Sequence, residues 1–429
     1  MSDKQETSKP VTRRQFIGTA AAAAALAATS APRAFGQAAS PNERLGAGVI
    51  GCGGRGGSHM QALNWLKDHG GNVDIVAACD AYRPRLNKAV EKYKIPKAYM
   101  DHRELLADPN VDVVFIATPD HHHAYAAIDA VQAGKDVYCE KPVTHWRQFE
   151  VTKRLAQEVN KSGRVFQLGT QGMSDSAYHQ MRKLVQDGLI GQPIHAECGY
   201  FRVGDWGERG MPIDDPNAVS GPDLNWEAFL GDAPKRPFDV SRFFRWRMYE
   251  DYAGGPSTDL FPHSLTPVMS ILGVKWPSSA VATGGKFRYE EREIPDTFNM
   301  LMDFPEKITV AVLGTQGNDY QGAGGGRGAP GRVPIVRGWD GTLTIEKEEV
   351  VFTPADGSDK KPQRFPVDHK EDFTEYVRYF LNCCRERNTA TLSPVDLAYY
   401  TQTALIMGML ALREGKTAKF DPQTETIVI

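Results

Sequence analysis

The chain is poor in the features that would advertise a disulfide or metal framework. Its 429 residues hold six cysteines, Cys52, Cys79, Cys139, Cys198, Cys383 and Cys384, with no C-x-x-C spacing. Three of them stand at the ends of buried-strand patterns, so they read as small core residues. In the adjacent pair Cys383-Cys384, on a helical pattern, one side chain is expected to face inward and the other sideways. An excess of charge is missing too. The formal net charge of -3 gives no support for nucleic acid or a membrane surface as partner. Long apolar runs are scarce, and the alanine-rich one at 19–28 is too short and too weakly apolar to make a good membrane span. What remains is globular in composition, 41% hydrophobic and 24% charged, and long enough for two domains.

Residues 1–38 read as an export segment outside the fold. Thr12-Arg13-Arg14-Gln15-Phe16-Ile17 precedes the alanine run, and small residues at Gly36-Gln37-Ala38 offer a cleavage site. Paired arginines before a mildly apolar core resemble a twin-arginine signal, which makes the periplasm the expected location.

From residue 44 to 168 strand and helix patterns alternate, which predicts a parallel Rossmann sheet with right-handed crossovers. Strand 45–50 feeds Gly51-Cys52-Gly53-Gly54-Arg55-Gly56 and then an amphipathic helix over 58–68. In such a turn the first glycine permits the tight bend, the second lets a pyrophosphate approach the backbone, and the third lets helix and strand pack closely. Strand 73–79 ends in Asp80, about 20 residues beyond the glycines, where a carboxylate holds a ribose 2′-hydroxyl. A carboxylate there repels a 2′-phosphate, so NAD is favoured over NADP. Strand 111–117 runs into Thr118-Pro119-Asp120-His121-His122-His123, and strand 136–139 into Glu140-Lys141-Pro142. The three successive histidines point in different directions, with no other ligand at metal-binding spacing, so no metal is expected. A loop beside the cofactor, with one histidine starting a helix, accounts for them.

Residues 169–429 change character. Strands are expected at 194–202, 281–289, 297–304, 308–314, 341–347 and 349–353, with little helix between them. That pattern predicts an α/β domain with a large, open, mostly antiparallel sheet, suited to a substrate wall or a subunit face. A proline- and aromatic-rich excursion spans 205–238, and 322–328 is a glycine-rich loop. The final helical patterns, 371–385 and 394–413, are expected to pack across both domains.

Before the sheet lies Gly254-Gly255-Pro256-Ser257-Thr258-Asp259-Leu260-Phe261-Pro262-His263. Asp259 and His263 are four apart, so a helical turn would project both from one face, where the carboxylate would orient the imidazole as a general base. A capping aspartate beside a packed histidine fits the same residues.

Gly51-x-Gly53-x-x-Gly56, Asp80, Thr118-Pro119 with His123, Glu140-Lys141-Pro142 and Asp259-x-x-x-His263 occur in an order that resembles the Gfo/Idh/MocA family, which includes glucose-fructose oxidoreductase and inositol dehydrogenase. The resemblance implies a tightly held nicotinamide cofactor, a sugar or polyol substrate, and dimers or tetramers formed through the C-terminal sheet. It implies a cofactor-binding set of Gly51, Gly53, Gly54, Arg55, Gly56, Asp80, Thr118, Pro119, His123, Glu140 and Lys141. Lys141 would also reach the reacting hydroxyl, His263 would accept its proton, and Asp259 would contact substrate and tune His263. Leu260-Phe261-Pro262 departs from the usual family wording toward that of NAD-dependent glycoside hydrolases, which keeps a redox-neutral hydrolase as the alternative. A catalytically silent carbohydrate-binding protein is a further one. Trp226, Phe243, Phe244, Arg245, Trp246 and Arg247 offer the flat faces and donors of a carbohydrate site.

Overall fold

Leu45–Ile50 (β1) is buried along its whole length, as a strand covered on both faces must be. Around it lie Val73–Cys79 (β2), Lys97–Tyr99 (β3), Val113–Ile116 (β4), Asp136–Glu140 (β5) and Phe166–Gly169 (β6). They form one parallel sheet in the order β3-β2-β1-β4-β5-β6. The strand order reverses between β1 and β4, so the crevice for a ligand opens at their carboxyl ends. This computed structural model describes residues 44–204, 211–320 and 334–429. The expected export segment and the glycine-rich loop at 322–328 lie outside the described residues.

The Rossmann expectation holds, with two local differences. The helix after the glycines is Gly54–Asp68, so it begins four residues before the expected Ser58 and takes the last glycine of the motif into its first turn. β3 has three residues, two of them exposed, and so carries no apolar run to announce it.

The second sheet is mixed. Its central strands are Pro193–Val203 (β7), Ile308–Thr315 (β10), Thr297–Phe304 (β9) and Ser279–Gly285 (β8), in that spatial order. Four strands, 335–338, 341–346, 349–354 and 363–366, extend it beyond β7, and 418–421 with 426–428 extend it beyond β8. Among the described residues β7 and β10 make its parallel pair, and the other pairings are antiparallel. β9 shows the two faces plainly: Phe298, Met300, Met302 and Phe304 point into the core, while Leu301 and Asp303 are exposed. Helices Phe261–Leu272 and Val395–Glu414 cover the inner face. The latter is long and apolar enough to cross a membrane, but 72% of its apolar window is buried within the fold. The strand expected over 281–289 stops at Gly285.

Helix Phe373–Glu386 returns to the first sheet, where Tyr376, Val377, Phe380 and Leu381 join Phe115 and Tyr138 in one core. Cys383 and Cys384 are both buried there, which corrects the expected sideways placement of one; all six cysteines are buried thiols.

The excursion also comes back to the first domain. Trp226, Phe229, Phe243, Phe244 and Tyr252 pack with Tyr82 into an aromatic cluster. Backbone bonds from Arg83 to Asp223 (2.8 Å) and from Asn225 to Ala81 (2.9 Å) stitch the two segments together. Ion pairs Arg83–Asp223 and Arg85–Asp214, both at 2.7 Å, add to that seam.

Candidate active site

A cleft of about 1240 Å³ runs along the carboxyl ends of β1, β2, β4 and β5 and under the excursion. Its lining includes Gly51, Gly53, Gly54, Arg55, Asp80, Thr118, Pro119, His123, Glu140, Lys141, Asp259 and His263. The structure therefore brings the sequence-derived residues to one place, except Gly56, which sits one layer below.

The glycine turn fits a dinucleotide. Gly51 has φ of +92°, and a Cβ on it would stand 2.5 Å from the Ala117 carbonyl oxygen. A Cβ on Gly56 would meet the Gly51 carbonyl at 1.8 Å, so this glycine lets the helix rest on the strand end. Gly53 and Gly54 are different: a Cβ on Gly54 meets nothing within 4 Å, and one on Gly53 only Arg85 at 3.8 Å. Protein does not fill the space over these two residues, and the helix N-terminus lies beside it, as a pyrophosphate requires. Asp80 accepts the backbone N–H groups of Cys52 (2.7 Å) and Tyr82 (2.9 Å), one on each oxygen. Each oxygen keeps a further lone pair for a ribose hydroxyl.

At the other end of the cleft, Lys141 Nζ donates to the backbone carbonyl of Asp259 at 2.7 Å and to its carboxylate at 3.0 Å. Arg202 reaches the second carboxylate oxygen at 3.1 Å, and Arg247 lies 3.5 Å from the first. Burial alone would raise the Asp259 carboxyl; Lys141, then Arg247 and Arg202, outweigh it and hold the group well below the usual carboxylate range. Neither arginine was singled out as a partner of Asp259 from the sequence, and Arg202 was not singled out at all. The single-turn arrangement of Asp259 and His263 is corrected here. Residues 256–259 form one short helical turn, Leu260 breaks it, and His263 belongs to the first turn of the next helix, with Pro262 at its start. Asp259 spends its carboxylate on three cations, while His263 stands half-buried on the same cleft wall. Leu260, Phe261 and Pro262 are buried; Leu260 and Phe261 belong to the C-terminal core.

Glu140 and His123 bind protein groups. Glu140 accepts from Arg55 at 2.6 Å and from His59 at 3.0 Å. Burial would push this carboxyl up, but Arg55 and then His59 overcome it and hold Glu140 far below its ordinary value. Glu140, the residue before Lys141, thus ties the end of β5 to the glycine turn through Arg55. His123 lies between the carbonyls of Pro142 (2.5 Å) and Thr118 (2.8 Å), a strut between the ends of β4 and β5. Burial pulls its pKa down to about 4, and the neutral ring this favours carries a single N–H, which serves one of the two carbonyls. His121 and His122 both turn to the Phe229 carbonyl, at 2.8 and 2.6 Å, and anchor the excursion. Among the described residues no cluster of three or more His, Cys, Asp or Glu is placed to hold a metal.

The expected carbohydrate wall is partly used elsewhere. Trp226 donates its indole N–H to the Arg236 carbonyl within the aromatic cluster, and Arg245 bonds the Met211 carbonyl. Phe243, Phe244, Trp246 and Arg247 do line the cleft, with the Arg247 guanidinium 4.3 Å over the Trp246 ring.

Residues 45–170 match the NAD-binding Rossmann fold of the oxidoreductase family GFO_IDH_MocA, and residues 174–307 match its C-terminal alpha/beta domain. The chain belongs to the Gfo/Idh/MocA family. Inositol 2-dehydrogenase of Salmonella typhimurium is 35% identical over 166 residues, which are 37% of this chain and 46% of that protein. The aligned stretch thus spans about half the length of this curated relative. The WlbA dehydrogenase from Bordetella pertussis, in complex with NADH and UDP-GlcNAcA, matches with a TM-score of 0.64 at 18% identity, covering 88% of this chain and 99% of that one. Aldose-aldose oxidoreductase from Caulobacter crescentus, complexed with glycerol, matches with a TM-score of 0.64 at 19% identity, covering 88% and 100%. At such identities these two likenesses concern the fold.

Proposed function

We propose that the protein is an NAD-dependent oxidoreductase that acts on a secondary hydroxyl of a sugar or polyol and retains its cofactor between turnovers. The observation that carries this reading is the Lys141 ammonium, fixed on Asp259, in the same cleft as the glycine turn and Asp80. A nicotinamide dinucleotide held by the glycine turn and Asp80 would supply the acceptor for the hydride of the alcohol carbon. Lys141 supplies a cation and donor for the oxygen on which charge develops. His263, on the same wall, receives the hydroxyl proton. Asp259, shared among three cations, holds Lys141 in place. The aromatic excursion closes over the cleft and limits water.

We infer from Arg13-Arg14 and the alanine run that follows a twin-arginine signal and a periplasmic location, where no free NAD pool is expected. Retention then requires that the hydride be returned in place, to a second carbonyl substrate or to the same sugar. The assembly would be a homodimer or homotetramer through the open face of the second sheet, where Val281, Leu301 and Leu313 are exposed. Leu301→Asp should convert such an oligomer to monomer in sedimentation.

The deciding experiment follows nicotinamide absorbance on mature protein offered a panel of sugars, polyols and nitrophenyl glycosides. A persistent absorbance change supports the reading. Nitrophenol release without net change replaces it with the redox-neutral glycosidase, and silence across the panel with a binding protein.

A further inference from the structure

Asp120 has no role in the scheme above. It opens the 3-10 turn Asp120–His122, is 1% exposed, and its Oδ1 meets no hydrogen-bond partner among the described residues. Three charged groups face it: Arg247 from the turn 246–248, Lys141 beyond β5, and Asp259 from the turn 256–259. Thr258 is its hydroxyl neighbour. Thr258 Oγ1 already accepts the Gly254 N–H at 3.0 Å, so its own proton is the one it offers to Asp120. The histidines beside Asp120 in sequence are engaged elsewhere, His121 with Phe229 and His123 with Thr118 and Pro142.

A buried carboxylate oxygen with no donor is costly to keep charged. It stays ionised only while nearby cations hold it. Lys141 has committed two donors to Asp259, which leaves Asp120 the weaker claim on the same ammonium. Two unequal carboxyls around one amine make a site in which the second changes charge while the first does not.

We propose that Asp120 is a positioning residue for Lys141: its carboxyl gains or loses a proton behind the Lys141–Asp259 pair and so sets how firmly Lys141 holds its own. This rests on the dehydrogenase reading for its purpose, not for its observation. Burial raises the Asp120 carboxyl, Arg247 and Lys141 pull it back, and the balance leaves it at about 7, within the working range of an enzyme. Above that value the Asp120 anion favours the ammonium form of Lys141; below it that support is withdrawn.

The test is the pH dependence of Lys141 acylation by acetic anhydride, read by mass spectrometry on intact protein, beside the pH profile of turnover. In Asp120→Asn the anion is permanently absent, so Lys141 loses its proton at lower pH. Its acylation at a fixed alkaline pH should rise several-fold, a tenfold rise corresponding to one pKa unit. The turnover profile should lose its inflection near neutrality, with KM for the alcohol little changed. Thr258→Val keeps the shape and removes only the hydroxyl, so it should move the inflection upward and serves if the asparagine variant does not fold. Identical Lys141 acylation curves in wild type and variant overturn the proposal, as does an unchanged turnover profile. If the acylation shift is seen but wild type oxidises no hydroxyl compound, the coupling stands and the dehydrogenase reading falls.

Discussion

Lys141 Nζ is held at two points of a single residue, the backbone carbonyl of Asp259 at 2.7 Å and its carboxylate at 3.0 Å. The carbonyl contact fixes the nitrogen whatever the carboxylate does, and the carboxylate fixes its charge. The two effects separate in the variants below.

Lys141→Met removes the ammonium and leaves Asp259 with Arg202 and Arg247, so the fold and the bound dinucleotide should survive. Turnover should fall by about 10²–10³, the usual worth of a donor aimed at a developing oxyanion. Cofactor content by absorbance, and kcat on the best substrate, check this. Activity within a factor of two of wild type would remove Lys141 from the chemistry.

Asp259→Asn has the opposite profile, because it leaves three cations around a neutral amide. Breaking a buried ion pair from one side costs about 3–5 kcal/mol. The melting temperature should drop by several degrees, and the loss should shrink in added salt, where chloride partly replaces the carboxylate. A melting temperature equal to that of wild type would mean that solvent already neutralises the cluster.

Glu140 carries a pH prediction with a definite sign. Its folded pKa is depressed below the unfolded value of about 4.3, so its stabilisation is complete above that value and is lost as pH falls toward the folded one. His123 and His145, buried neutral with pKa values of about 4 against an unfolded value of about 6.5, lose stability in the window just above. Asp120, raised to about 7, runs the other way and offsets part of that loss. Thermal melts from neutrality down to about pH 3 should therefore show a shallow decline and then a steep one. Glu140→Gln should lower the neutral plateau and remove much of the steep part. A variant that keeps the steep part in full would assign it to Asp259 instead.

The seam between excursion and first domain is expected to set how long a dinucleotide stays. Arg83–Asp223 and Arg85–Asp214 are partly exposed, so each is worth no more than about 1 kcal/mol. Replacing Asp214 and Asp223 by asparagine should speed NAD release by roughly two- to tenfold, measured by stopped-flow fluorescence. High salt should erase the difference. A change of a hundredfold would mean that the aromatic cluster, not the charges, had come apart.

Much of the first domain was legible because its signals are local. The glycines, Asp80 and strands of four to seven residues lie within short windows, and strands 45–50 and 73–79 fell where their apolar runs put them. The parallel pairing of β7 with β10 was not legible, since it joins strands more than 100 residues apart. Edge strands such as 363–366 and 426–428 are short and largely exposed, with no apolar alternation to read. At the site, Lys141, Asp259 and His263 stood out by their motifs. Arg202 and Asp120 did not, and Arg247 was legible only as a carbohydrate donor and not as a partner of Asp259, because a cation or carboxyl gains its role only from what folds against it. Glu140 was legible as important, but its partner Arg55 is 85 residues away, and nothing in either segment names the other.

Helix Phe373–Glu386, the chain's return to its first sheet, makes the domain boundary near residue 168 one of topology and not of stability. A fragment ending there would lay bare the apolar floor formed by Phe115 and Tyr138, which Tyr376 and Phe380 roof in the whole protein. The nucleotide half is therefore expected to complete its core only once helix Phe373–Glu386 has been made. Truncations within the final helices should cost cofactor loading as surely as damage to the glycines.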